Sequence, residues 1–198
     1  MLVGWFCASR WDGWVRVWRP EDGGGFTVKS CYKLLERLFL LNDEVSVGEE
    51  VVFSSLWKCR APSKVLAFSC TLQLDRIPTR MNLPAREVLE PDSSNNYVFC
   101  RRRGETAVHL FIHCEVVSRV RLGVMSWLQF SFITPHNLFV HFECWENEAK
   151  SKKLTLSFRL IWNASIWAIW NMRNEIILIN DALEVEELVE RIKRLSWF

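Results

Sequence analysis

No stretch of this chain approaches the roughly 18 consecutive apolar residues of a membrane-spanning helix; the longest candidate, Leu160 to Trp170, is broken by Asn163 and Ser165. No membrane partner is expected. The signatures of common catalysts are missing too: there is no P-loop, no H-E-x-x-H helix, no G-x-S-x-G elbow and no Asp-Asp dipeptide. Excess charge of one sign is nearly absent. With 25 Lys+Arg opposing 23 Asp+Glu, the net +2 by itself implies neither a nucleic-acid nor a membrane partner. Gly (8) and Pro (6) are too scarce for a collagen-like or low-complexity chain. The opening Met1 to Cys7 lacks the basic n-region and long apolar h-region of a signal peptide, so an intracellular location is expected, nuclear or cytoplasmic and not secreted. Seven scattered cysteines, an odd number, then fit reduced thiols rather than a disulfide framework. Asn163-Ala164-Ser165 matches a glycosylation pattern, but it lies inside a helical apolar pattern in a chain without a signal and is set aside.

What is present is a globular composition. The 198 residues, 49% hydrophobic and 24% charged, suffice for one domain or one domain with a small appendage. Eleven Trp and thirteen Phe against two Tyr predict a bulky core in which each buried indole N–H needs an acceptor. Trp14 to Trp18 alternates with period two, Arg19 to Gly25 supplies Pro and three successive Gly, and Phe26-Thr27-Val28 is β-prone again, which predicts a hairpin. Ser30 can cap a helix over Cys31 to Leu41, and the acidic Asn42 to Glu50 stretch, with Gly48, reads as an exposed loop. Ser54 reads as the cap of a short turn containing Leu56 and Trp57. Pro62 suits the first position of a helix burying Val65, Leu66, Phe68, Leu72 and Leu74, and Thr79 can cap a short helix through Arg86. Pro91 to Asn96 is turn chemistry ahead of a compact segment from Tyr97 to Cys114.

Beyond it the pattern predicts a helix over Val116 to Trp127, a break at Thr134-Pro135 and a polar linker over Glu143 to Lys153. Leu154 to Asn180 is apolar around most of its circumference and is expected at the centre of its domain, and Glu184 to Trp197 closes with an amphipathic helix. The fold class is mainly α with a small N-terminal β-hairpin. No internal repeat is present.

Dividing the charge by segment makes the near-neutral total informative. Residues 1–56 carry 6 basic and 8 acidic side chains, residues 57–128 carry 11 and 6, and residues 129–198 carry 8 and 9. The basic middle holds Arg101, Arg102 and Arg103, preceded by Lys58, Arg60, Lys64, Arg76, Arg80 and Arg86. Such a surface can neutralise phosphates of RNA or DNA in a salt-sensitive, sequence-independent way. The same charges also fit an ordinary solvated helix surface.

The spacing of Cys100, His109 and Cys114 carries the most chemistry. A thiolate from a turn, with an imidazole and a thiolate from a following short helix, can occupy three corners of a tetrahedral zinc site. A structural site needs four ligands. Where a C-x2-C knuckle would supply the other cysteine the chain has Tyr97, whose neutral phenol is a poor zinc ligand; His113 is a substitute only against the constraint of the adjacent Cys114. Zinc is therefore expected to be weak or lost, in a degenerate zinc-knuckle segment.

An ordered set of residues now carries a family resemblance. It comprises Trp14 and Trp18, Phe26 to Ser30 with Tyr32, Leu56-Trp57-Lys58, Ala61 to Val65, Phe68, Ile77 to Leu83, and Cys100 with Glu105, His109-Leu110-Phe111 and Cys114. This set resembles the reverse transcriptase zinc-binding domain on the C-terminal side of plant LINE-type, non-LTR retroelement polyproteins. The resemblance covers about Arg10 to Trp127, and Ile161-Trp162, Trp167, Trp170 and Arg173-Asn174 look like the helix leading toward a ribonuclease H region. It implies a zinc pattern, C-x2-C then Glu-x3-His-x4-Cys, that falls on Tyr97, Cys100, Glu105, His109 and Cys114. The departure at Tyr97 puts metal binding in question, though not the fold. The expected organisation is a tail (1–9), the zinc-binding-like domain (10–127), a linker (128–153) and a C-terminal helical segment (154–198).

Polymerase chemistry on such elements needs adjacent aspartates and a third carboxylate around two metal ions. The chain has no such pair, so neither catalysis nor a small-molecule substrate is expected. The functions left are a non-catalytic, retroelement-derived accessory that binds nucleic acid, a protein-interaction module with possible self-association, or an expressed remnant.

Overall fold

The computed structural model describes residues 9–12, 15–18, 47–83, 95–179 and 184–196. The chain divides into two compact units, Met1–Glu50 and Val51–Phe198. In the first, β1 (Ser9–Asp12) pairs antiparallel with β2 (Val15–Trp18), Ser9 opposite Trp18 and Asp12 opposite Val15. β2 falls on the first strand of the expected hairpin, and its partner among the described residues is β1. Phe26 to Val28 and the helix expected over Cys31 to Leu41 lie outside the described residues.

The remainder is helical. α1 (Val47–Trp57) starts inside the stretch expected to be a loop. Its acids, Glu49 and Glu50, sit in the first turn, where they favour the positive end of the helix dipole. Ser54 is thus interior to a helix and caps nothing. Val52, Ser55 and Leu56 are buried at helical spacing. α2 (Ser63–Gln73) begins one residue later than expected, with Pro62 as its N-cap, whose carbonyl accepts the N–H groups of Val65 and Leu66. After α2 the chain turns rather than entering the expected helix at Thr79. Asn82 Nδ2 donates to the carbonyls of Asp75 and Ile77, and Asn82 N–H donates to Thr79 Oγ1.

A single π-helical turn (His109–His113) leads into α3 (Glu115–Leu128), which ends at Gln129 in the left-handed conformation. The stretch expected as a linker carries α4 (Leu138–Asn147), capped by Asn137 Oδ1, which accepts the N–H of Phe139 at 2.7 Å. Its apolar positions Leu138, Phe142 and Trp145 are buried, so the charges from Glu143 onward mark the outer face of a helix and not a tether. α5 (Lys152–Ile179) is the axis of the unit, contacting α2, α4 and the closing helix α6 (Val185–Leu195); α6 also packs on α3. Every residue from Ile161 to Ile166 is buried, as expected of a helix apolar on all sides.

Polar groups inside this core are paired across helices. Ser69 Oγ donates to Asn163 Oδ1 at 2.6 Å, tying α2 to α5, and Arg159 on α5 pairs with Glu146 on α4 while its Nη2 donates to Ser55 at 3.2 Å. His141 is fully enclosed and faces two indoles: Trp162 Nε1 donates to its Nδ1 at 3.2 Å and Trp145 Nε1 lies 3.4 Å from its Nε2. A neutral imidazole offers one lone pair, so it accepts from one of these indoles, and the shorter contact assigns it to Trp162.

Candidate metal centre

The knuckle begins where Asn95 to Gly104 folds back on itself. Tyr97 N–H donates to Arg103 O and Arg101 N–H to Tyr97 O, each at 2.8 Å, closing a tight turn around Cys100. Arg101 takes a positive φ of 54° to make the corner. Thr106 Oγ1 accepts the N–H of His109 at 3.1 Å at the start of the next helical turn. The π-helical bond from Cys114 N–H to His109 O, 2.8 Å, brings residues five apart onto one side of the turn. Arg121 holds this arrangement from below in the chain: its guanidinium donates to the carbonyls of Phe111 and Ile112, groups the ending turn leaves without helical partners.

The consequence is a three-residue cluster. The ligand atoms of Cys100, His109 and Cys114 all lie within 4.8 Å of one another, with Cys100 Sγ 3.2 Å from His109 Nε2. The sulfur–sulfur edge of a zinc tetrahedron is about 3.8 Å for Zn–S near 2.3 Å, so the three atoms are spaced for one ion. Burial, reinforced by the nearby Arg103 charge and by His113, lowers the His109 pKa and favours the neutral ring, the form that ligates. Burial raises the Cys114 thiol pKa, while the N–H groups of Val117 and Val116 at the start of α3 pull it the other way.

Tyr97 lies next to the cluster, against His109. It is completely buried, stacked on Phe99 at 4.7 Å and edge-on to His109 at 5.8 Å. Its hydroxyl has no hydrogen-bond partner. Burial first, then the neighbouring Cys114 and Glu105, push its pKa well up, so the phenol stays protonated. A protonated phenol is a poor zinc ligand, so Tyr97 adds no thiolate to the three candidate ligands. The donor set suits zinc at three corners and fails at the fourth.

Glu105 has a role that spacing alone did not reveal. It is fully buried and forms an ion pair with Arg173 of α5, with Arg173 Nε 3.2 Å from its second oxygen. It also accepts the backbone N–H of Arg80 at 3.0 Å. Arg173 in turn lies over the Trp170 ring at 4.7 Å. One carboxylate therefore ties the knuckle to α5 and to the turn after α2. The signal was there in part, since a charged residue inside the all-apolar helix pattern of α5 demands a buried counter-charge.

Residues 26–120 match the model of the family described as zinc-binding in reverse transcriptase. The likeness covers just under half of the chain. The matched region takes in the whole Cys100, His109 and Cys114 cluster and ends within α3, leaving α4, α5 and α6 beyond it. Comparison with curated proteins and with solved structures finds no match. No helix among the described residues is long and apolar enough to cross a membrane.

Of the basic residues singled out from the sequence, Arg86 lies outside the described residues, and the six named for phosphate contact fall in two places. Arg101, Arg102 and Arg103 are exposed on the knuckle turn, with Arg102 paired to the equally exposed Glu115 at 3.2 Å. Arg80 reaches the same region, its Nη1 donating to Asn96 O at 3.1 Å. Lys58 and Lys64 are exposed on the α1–α2 segment, where Lys64 lies 5.6 Å from the Trp167 ring.

Proposed function

We propose that the chain is a non-catalytic zinc-binding domain derived from a plant LINE-type, non-LTR retroelement, which holds zinc weakly and binds nucleic acid through its basic middle segment. The observation that carries this reading is the meeting of Cys100, His109 and Cys114 next to the buried, protonated Tyr97. Zinc bound there would supply a cross-link between the knuckle turn and the start of α3. Cys100 and Cys114 would hold it as thiolates and His109 as a neutral imidazole, with no fourth anionic ligand. Arg101, Arg102 and Arg103, exposed on the same turn, with Lys58, Lys64 and Arg80, are the groups to meet phosphate. RNA-directed DNA polymerase activity belongs, on this reading, to a parent polyprotein's separate catalytic domain.

Zinc content and chelator resistance of wild type and Tyr97→Cys provide the test. Wild type should lose its zinc to a mild chelator, and the variant should retain one ion per chain. Tightly held, stoichiometric zinc in wild type that survives Cys100→Ser would refute the assignment. A second reading, an interaction or self-association module, has support of its own in large apolar side chains left in solvent, among them Leu154 and Leu156 on α5 and Ile133 before α4. Association that rises with protein concentration and ignores added nucleic acid would favour it.

A further inference from the structure

The cluster at the knuckle holds two thiols placed to react with each other. Cys100 Sγ and Cys114 Sγ lie within 4.8 Å. A disulfide needs about 2.0 Å, so less than about 3 Å of closure is required. Cys100 sits on the tight turn and Cys114 is the N-cap of α3, with an extended ψ of 129°, so both side chains leave the backbone outside a regular helix interior. The 3.2 Å contact between Cys100 Sγ and His109 Nε2 keeps the Cys100 sulfur turned toward the cluster. The two thiols differ in access: Cys100 is partly exposed and Cys114 is wholly buried. Among the described residues three ligands meet here, one short of the closed shell that shields the sulfurs of a structural zinc site.

We propose that Cys100 and Cys114 are an oxidative modification site, closed by a peroxide to a reversible disulfide when no metal is held. Cys100, the accessible thiol, attacks a peroxide oxygen: an S–O bond forms, the O–O bond breaks, and the thiol proton leaves with the departing oxygen as water. Cys114 then attacks the sulfenic sulfur. An S–S bond forms, the S–O bond breaks, and the hydroxyl leaves with the Cys114 proton as a second water. The two sulfurs together lose two electrons, and the peroxide gains them. The disulfide joins the knuckle turn to the start of α3, the same two places that zinc would join. Both cross-links use both sulfurs, so each excludes the other. The inference concerns the metal-free chain and goes beyond the zinc and nucleic-acid readings, so it stands without either.

The full chain in chelator, treated with hydrogen peroxide, alkylated and digested, tests this by mass spectrometry. The wild-type monomer should yield a peptide linking Cys100 to Cys114, lighter by two hydrogens and released by dithiothreitol. With Cys114→Ser the resolving thiol is gone, and Cys100 should be trapped as a sulfenic acid that reacts with dimedone. With Cys100→Ser, dimedone labelling of the buried Cys114 should be lower than that by about tenfold or more. No linked peptide in wild type, or Cys100 linked to other cysteines as often as to Cys114, would overturn the proposal, and that result does not depend on how either variant folds. The same oxidation in excess zinc separates the two readings of the cluster. A rate lowered about tenfold supports both, since bound zinc occupies both sulfurs. An unchanged rate would refute the zinc site and leave the disulfide standing. Absence of the linked peptide in chelator, with zinc retained by Tyr97→Cys, would overturn the disulfide and leave the zinc reading intact.

Discussion

Acidification should destabilise this protein well above the pH at which its carboxylates protonate, and His141 is the reason. Burial, with a smaller contribution from the Arg121 charge, lowers its pKa from 6.5 to about 3. The Trp162 indole N–H reinforces this, since protonation removes the one lone pair with which the neutral ring accepts it. As pH falls below 6.5 the unfolded chain takes up a proton that the folded chain refuses, so stability drops by about 1.4 kcal/mol per pH unit. The loss is about 2 kcal/mol between pH 7.5 and 5 and about 4 kcal/mol at pH 3. His109 and His113, whose pKa values are also lowered by burial, add to the same trend. Their contribution cancels when wild type is compared with His141→Asn, which keeps an acceptor near the Nδ1 position. Urea unfolding of both at pH 7.5, 6 and 5, in chelator, should give a steeper decline for wild type by about 2 kcal/mol at pH 5. If the variant fails to fold, the NMR titration of the His141 ring in wild type replaces it, with no protonation expected above pH 4. Parallel stability profiles, or a His141 titration near 6.5, would refute the reasoning.

Much of this fold was legible because its helices are long and strongly patterned. α3, α5 and α6 lie within a few residues of where periodicity put them, since a buried stripe over three or more turns leaves few alternatives. α4 was hidden by its outer face. Glu143, Glu146 and Glu148 dominate the composition of that stretch, while the signal that matters is the spacing of Leu138, His141, Phe142 and Trp145. α1 was hidden the same way, its first-turn acids resembling a solvated loop. At the metal cluster, spacing identified the candidate ligands, but how they meet depends on a π-turn, which has no simple periodic signature. Long-range partners were out of reach: nothing local joins Glu105 to Arg173 or His141 to Trp162, although an ionisable residue inside an apolar helix pattern announces that some partner exists.

The remaining predictions address the basic turn, the buried ion pair and one close helix contact. In the Arg101/Arg102/Arg103→Ala triple variant the log–log salt slope for nucleic-acid binding should become shallower by about two to three units. An unchanged slope would mean that the arginines are only a solvated face. Glu105→Gln should cost about 3 kcal/mol or more in urea unfolding, because it leaves the largely buried Arg173 without its counter-charge. A loss below about 1 kcal/mol would show that water reaches the guanidinium. Gly123→Ala tests packing against helix propensity. Propensity alone says that alanine in the interior of α3 should gain about 1 kcal/mol over glycine. A Cβ on Gly123, however, would stand 2.9 Å from Val189 Cγ2 on α6, inside van der Waals contact, and Val189 is itself buried and branched at Cβ, so it has little room to rotate away. Overpacking of that kind costs about 1–3 kcal/mol, so the net effect should be destabilising. Val189→Ala made alone leaves a small void, and made together with Gly123→Ala it removes the obstructing methyls and lets the propensity gain through. The double-mutant cycle should therefore show a favourable coupling of about 1 kcal/mol or more, and additive effects would mean that α3 and α6 sit farther apart than the contact at Gly123 requires.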